Sequence, residues 1–168
     1  MAHWIGEVLI NNGCYTNFGM VKHTTNRING KALVSVDESA VTAVEKSSNG
    51  KIGIMHATYA PQLTCPTSCP MYPKIFGDIT DSDVRLHVQI QFAEIEARKI
   101  DALPADHNLR AHVVGDSSNS IAAGLIGDAM VRYEARSTNG SLAYTYTHAW
   151  DAPYNVPESD WHGARVLA

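Results

Sequence analysis

The chain has 168 residues, 45% hydrophobic and 18% charged, which is enough to bury a core and too apolar for wholesale disorder. Thirteen Lys and Arg against seventeen Asp and Glu give a formal net charge of −4, so overall charge does not drive the chain toward nucleic acid or an anionic membrane. No apolar run approaches the roughly 20 residues of a membrane span, and residues 1–7 lack a basic segment followed by an apolar one, so the expected location is the cytoplasm.

Residues 4–10 alternate loosely and predict a strand, stopped by Asn11-Asn12-Gly13. Residues 14–31 are polar, carry Gly19, Asn29 and Gly30, and read as loop or poorly formed helix. Residues 32–36 predict a short strand. Asp37 is placed as the N-cap of a short helix with Val41 and Val44 on one face, ended by Ser47-Ser48-Asn49-Gly50. Residues 51–59, with Ile52, Ile54 and Met55, predict another strand. Pro61, Pro66 and Pro70 then forbid regular structure.

The longest periodic segment predicts a helix over 81–101, stopped before Pro104. Val84, Val88, Gln91 and Ile95 form its stripe, Leu86, Ile90, Ala93 and Ala97 widen it, and His87 falls on its polar side. Residues 109–114 are a strong β run, 115–120 a turn, and 121–136 a helix of small residues broken at Thr138-Asn139-Gly140. Residues 142–150 predict a strand rich in Tyr and Thr, 151–163 a loop, and 164–168 the start of one more strand.

Strands separated by helices of this length are most simply parallel, with right-handed crossovers. The expected class is α/β: a mostly parallel sheet with crossover helices, in a single domain over 1–168 to which residues 1–31 are joined by the weakest pattern. The chain stops at a strand with no covering helix, which reads as an edge strand, a partial barrel or a fragment of a longer α/β unit. An uncovered edge also invites a homo-oligomer.

In parallel sheets reactive groups gather at the carboxyl ends of the strands. Three such ends carry them here: the loop with Cys65 and Cys69, the turn with Asp116, and the strand end with His148. Cys65-x-x-x-Cys69 reads as a thiolate pair for an iron–sulfur cluster or zinc, braced by its prolines. Such sites usually take four ligands, so Cys14 with His56 or His148 would have to complete the set. The plainer alternative is two ordinary cysteines in a proline-rich loop.

Asp116 is either a turn residue or a site carboxylate. Ser117 and Ser118, at the start of the next helix, are the cofactor-binding candidates, because a helix N-terminus favours an anionic group. His148 joins Asp116 as a catalytic candidate, the alternative being a hydrogen-bonded strand-end histidine. Val113 and Tyr146 are expected on neighbouring parallel strands, which would open Asp116 and His148 onto one pocket. No G-x-G-x-x-G, P-loop, H-E-x-x-H or G-x-S-x-G pattern occurs. Tyr144, Tyr146 and Trp150 alternate and read as packing rather than a stacking platform for bases, so nucleic acid is not an expected partner.

Several separate blocks carry a resemblance. They are Lys46-Ser47-Ser48-Asn49-Gly50-Lys51-Ile52-Gly53, His56-Ala57-Thr58-Tyr59-Ala60-Pro61-Gln62, Thr64-Cys65-Pro66-Thr67-Ser68-Cys69-Pro70, the stretches 100–106 and 109–116, Tyr144-Thr145-Tyr146-Thr147-His148-Ala149-Trp150, and the closing Val166-Leu167-Ala168. Over residues 46–168 the chain resembles an uncharacterised group of bacteriophage proteins with a CPxxCP loop. That group has no assigned activity. Its layout, a cysteine loop after an early strand of a parallel unit, is similar by analogy to radical-SAM enzymes. The group usually continues into a GCYA segment, whereas Met71-Tyr72-Pro73-Lys74 stands here; Asn12-Gly13-Cys14-Tyr15 looks like that segment moved to the N-terminus.

The resemblance implies a phage-encoded metal or iron–sulfur protein in the cytoplasm of the infected bacterial host. Cys14, Cys65 and Cys69 would bind metal, and S-adenosylmethionine would be a cofactor by analogy alone. The alternative is a non-catalytic accessory protein that binds a host protein or a small molecule, or assembles with itself, with no membrane partner.

Overall fold

The computed structural model describes residues 3–4, 21–28, 31–47, 53–69, 82–151 and 153–167. Among the described residues eight strands form two sheets. An antiparallel sheet holds β1 (His3–Trp4), β2 (Val21–Ile28) and β3 (Lys31–Val36). The second sheet has five strands in sequential order: β4 (Thr42–Val44), β5 (His56–Tyr59), β6 (Leu109–Val114), β7 (Ala143–Tyr146) and β8 (Arg165–Leu167). β4 pairs antiparallel to β5, and β5 through β8 are parallel. Helix α1 (Ser82–Ala102) links β5 to β6 and helix α2 (Ser120–Arg136) links β6 to β7. The protein is α/β with a mostly parallel sheet. No helix among the described residues is long and apolar enough to cross a membrane.

Three expectations are corrected. Residues 21–28 form a strand rather than loop or poor helix, because they find a partner in β3. The helix placed after Asp37 is a single 3-10 turn, Glu38–Ala40, followed by β4. Asp37 does cap it, accepting from the Ser39 N–H at 2.8 Å. Val41, Thr42 and Val44 are β-branched and favour extended backbone, and β5 offers an edge for them to pair with. The strand expected over 142–150 stops at Tyr146, so Trp150 lies in a turn. Residues 5–20, 48–52 and 70–81, including Cys14 and most of the first expected strand, lie outside the described residues.

Helix α1 buries two stripes. Ala93, Ala97 and Ile100 join Leu109, Ala111 and Ala143 of the sheet and Ala123, Ile126, Met130 and Tyr133 of α2 in the main core. Val88, Phe92 and Ile95 pack with Ala40, Val41 and Leu63. Burying a side chain such as Phe92 stabilises the fold by roughly 1.5–3 kcal/mol. Strand alternation then leaves Arg110, Tyr144 and Tyr146 on the face turned away from the helices, with the Arg110 guanidinium 5.2 Å from the Tyr146 ring centroid.

The small residues of α2 have a packing reason. The 3-10 turn Glu158–Trp161 presses against them, and a Cβ at Gly127 would lie 2.1 Å from the Trp161 carbonyl oxygen. Backbone cannot retreat as a flexible side chain can. Gly127→Ala is therefore expected to destabilise the protein by about 2–3 kcal/mol, a fall of roughly 6–10 °C in Tm. Val131→Ala, on the exposed side of the same helix, is the control and should change stability by less than ~0.5 kcal/mol.

Candidate functional site

The carboxyl edge of the parallel strands is built from three loops. After β5 the chain runs through residues 60–69, with a 3-10 turn at Gln62–Thr64. After β6 it runs through 115–119 into α2, and after β7 through 147–155. Gly115 permits the first two to meet. Its φ of +92° is in the left-handed region, and a Cβ there would lie 2.7 Å from Ala60 Cβ and 2.8 Å from Thr64 Oγ1.

Thr64 is the joint between the two loops. Its hydroxyl donates to the Pro61 carbonyl at 2.7 Å and accepts from the Asp116 N–H at 3.0 Å. Its carbonyl accepts from the Ser118 hydroxyl at 2.8 Å. Gln89 of α1 donates to the Leu63 carbonyl at 3.2 Å and accepts from Asn119, whose Oδ1 caps α2 through the Ala122 N–H. Tyr154 of the third loop reaches the Thr67 N–H at 2.5 Å.

Val113 and Tyr146 lie on neighbouring parallel strands, and Asp116 and His148 converge. The buried Asp116 carboxylate accepts from the Ser117 N–H and from the His148 N–H, both at 2.7 Å. The His148 ring stands in solvent with Nδ1 3.9 Å from Asp116 Oδ2. Ser117 Oγ is buried with no hydrogen-bond partner. Cys65 is buried and Cys69 half-buried in the loop that Thr64 anchors.

His56 does not belong with the cysteines. It opens β5, so it lies at the amino edge of the sheet while Cys65 lies beyond the carboxyl end. Among the described residues no third Cys, His, Asp or Glu joins Cys65 and Cys69 within ligand distance.

The amino edge holds a cluster that sequence reasoning did not assemble. His56 Nε2 is 3.2 Å and His107 Nδ1 3.1 Å from Asp106 Oδ1. His56 Nδ1 is 2.9 Å from the Tyr133 hydroxyl. The signal available was the parallel pairing of His56 with Leu109, which brings residues just before β6 alongside His56. A shallow depression of about 340 Å³ lined by Val41, Ala43, Lys99 and Leu103 shares no residue with either edge. The Lys99 ammonium beside it is already bonded to the Glu38 and Val41 carbonyls.

Between the edges, on the helix side, lies a buried ion pair. His112 Nε2 is 3.1 Å from Glu96 Oε2, its Nδ1 3.2 Å from Thr145 Oγ1, and Thr58 donates to Glu96 Oε1. Burial alone would depress the His112 pKa, but the charge and hydrogen bond of Glu96, with the charge of Asp116, outweigh it and hold it above the usual value. Comparison with family models, curated proteins and solved structures finds no match.

A raised folded-state pKa makes protonated His112 stabilising below its unfolded value of about 6.5, and that contribution is lost as pH rises through the raised value. Glu96→Gln removes the charge. Urea unfolding of the two proteins is expected to differ by about 3 kcal/mol at pH 6, because the variant leaves His112 buried without its counter-charge. The gap should narrow as pH rises, and a pH-independent gap would show that His112 is not charged in the fold.

Proposed function

We propose that the chain is a phage-type metal-binding α/β protein whose working edge is the carboxyl end of its parallel strands. Cys65 and Cys69, joined by Cys14, would hold a zinc ion or an iron–sulfur cluster, and Asp116 and His148 would face a small-molecule ligand. The observation that carries this reading is the double tie at Thr64. It makes the cysteine loop and the Asp116 loop one preorganised rim rather than two independent loops.

The donor type fits, since thiolates select zinc and iron–sulfur centres. The donor number does not close among the described residues, which supply two of the usual four ligands. When bound, such a centre would supply Lewis-acid or electron-transfer chemistry. The chain's own groups have separable tasks beside it. Asp116, with an N–H on each oxygen, is a fixed buried carboxylate that holds the His148 backbone. The exposed His148 ring is the group able to exchange a proton with a ligand.

Ser117 keeps an unused hydroxyl for a cofactor, whereas the Ser118 hydroxyl is engaged by Thr64. S-adenosylmethionine is the cofactor that a radical-SAM-like layout would bring. The two-thiol count favours a second reading, an accessory protein that binds a host partner or a small molecule at the same rim without metal.

Protein purified without oxygen is expected to carry iron and sulfide with a visible chromophore, or about one zinc per chain held by thiolates. Cys65→Ser and Cys69→Ser should each abolish that thiolate-held metal while far-UV circular dichroism is retained. Asp116→Asn and His148→Ala should leave folding intact. A folded, colourless wild type with metal content unchanged in both cysteine variants rejects the thiolate centre and leaves the accessory-protein reading.

A further inference from the structure

We propose that His56, Asp106 and His107 form a site for a divalent transition-metal ion, zinc the best matched, at the amino edge of the parallel sheet. The site is independent of the cysteines. The three donor atoms, two imidazole nitrogens and a carboxylate oxygen, lie within 4.8 Å of one another. Two of their separations are 3.2 and 3.1 Å. Zinc with bonds of about 2.0–2.1 Å in tetrahedral geometry separates its ligand atoms by roughly 3.3 Å. Three protein ligands then leave the fourth position for water or a ligand.

The proton arrangement distinguishes this cluster from an ordinary ion pair. The Tyr133 hydroxyl lies 2.6 Å from the His107 carbonyl oxygen and 3.1 Å from that of Pro104. A carbonyl only accepts, so the single hydroxyl proton is directed there. With the hydroxyl proton so directed, the imidazole N–H is the donor in the 2.9 Å contact between His56 Nδ1 and Tyr133, which is the tautomer this proposal requires.

Neutral His56 then presents a bare Nε2 lone pair to Asp106 Oδ1 at 3.2 Å. Two lone pairs at that distance repel unless a cation lies between them. His107 Nδ1 is a second imidazole nitrogen facing the same oxygen, at 3.1 Å. Tyr133 supplies the outer hydrogen bond that fixes the tautomer of a metal-binding histidine. Asp106 is exposed and His107 half-exposed, which gives an ion a path of entry.

The test uses the full chain, stripped with a chelator, as wild type and as the Cys65→Ser/Cys69→Ser double variant. Zinc binding is read by calorimetry and cobalt binding by absorption. The double variant is expected to keep about one equivalent of zinc, and its cobalt form to show visible ligand-field bands without thiolate charge transfer. Asp106→Asn and His107→Ala in that background should each weaken zinc at least tenfold and lose the thermal shift zinc produces. Asp106 is exposed and His107 half-exposed, and an unchanged metal-free Tm in each variant confirms folding. Equal zinc affinity in all variants overturns the proposal. So does a double variant that binds zinc no tighter than ~100 µM. Failure of the cysteine centre would leave the result in the double variant untouched.

Discussion

Glu96 comes from α1, His112 from β6, Thr58 from β5 and Thr145 from β7, and all four are buried and hydrogen-bonded to one another on the helix side of the sheet. A carboxylate at that depth without its cation would cost several kcal/mol, so the surrounding backbone is arranged to supply one. His112 takes φ +53°, a left-handed conformation that costs about 1–2 kcal/mol for a residue with a Cβ. Its N–H is recovered by Thr58 Oγ1 at 3.1 Å. The price appears in the register: Ala57 pairs with Arg110 and Tyr59 with Val114, so Thr58 alone faces three residues of β6.

That slip positions the carboxyl edge. Because β6 gains residues on β5, Val114 and Gly115 arrive beside Ala60 and Thr64, and the Ala60 N–H bonds the Val114 carbonyl at 2.9 Å. Asp116 then donates its N–H to Thr64, and its side chain reaches the backbone of His148 on the next loop. The same carboxylate acts electrostatically on His112. The rim that carries the candidate chemistry and the ion pair in the core are therefore one construction, joined through a single irregular strand.

Periodicity made the helices legible. Val88, Ile95, Ala93 and Ala97 are buried as their spacing requires, and His87 is exposed. Leu86 is 39% exposed at the margin of the stripe, and Ile90 and Gln91 are half-buried. The parallel direction of β5, β6 and β7 followed from helix length between β runs, and this brought Asp116 and His148 together without any motif. What periodicity does not carry is pairing. Nothing in the polar run 21–28 announces a strand until β3 is beside it. The left-handed turn at His112 is equally silent, since its reason is a glutamate on another element. His56 and Asp106 are far apart in sequence, and only the parallel register of β5 and β6 makes them neighbours.

The separation of the two edges bears on how their chemistry can be combined. β5 spans His56–Tyr59, and strands rise about 3.3 Å per residue, so the strand alone puts roughly 10 Å between its ends before the chain continues toward Cys65. Metal–ligand bonds are about 2.0–2.3 Å, so no single ion spans that distance. An imidazole–carboxylate set on one edge and a thiolate pair on the other are thus two independent binding problems. The donors differ in kind as well as place: imidazole and carboxylate suit a borderline divalent ion, whereas thiolates draw zinc, copper(I) or iron–sulfur chemistry. Both sets hang from β5 and β6, whose pairing is held by the Thr58–Glu96–His112 network between them. Loosening that network would therefore disturb both edges at once, while a substitution confined to one edge leaves the other its geometry.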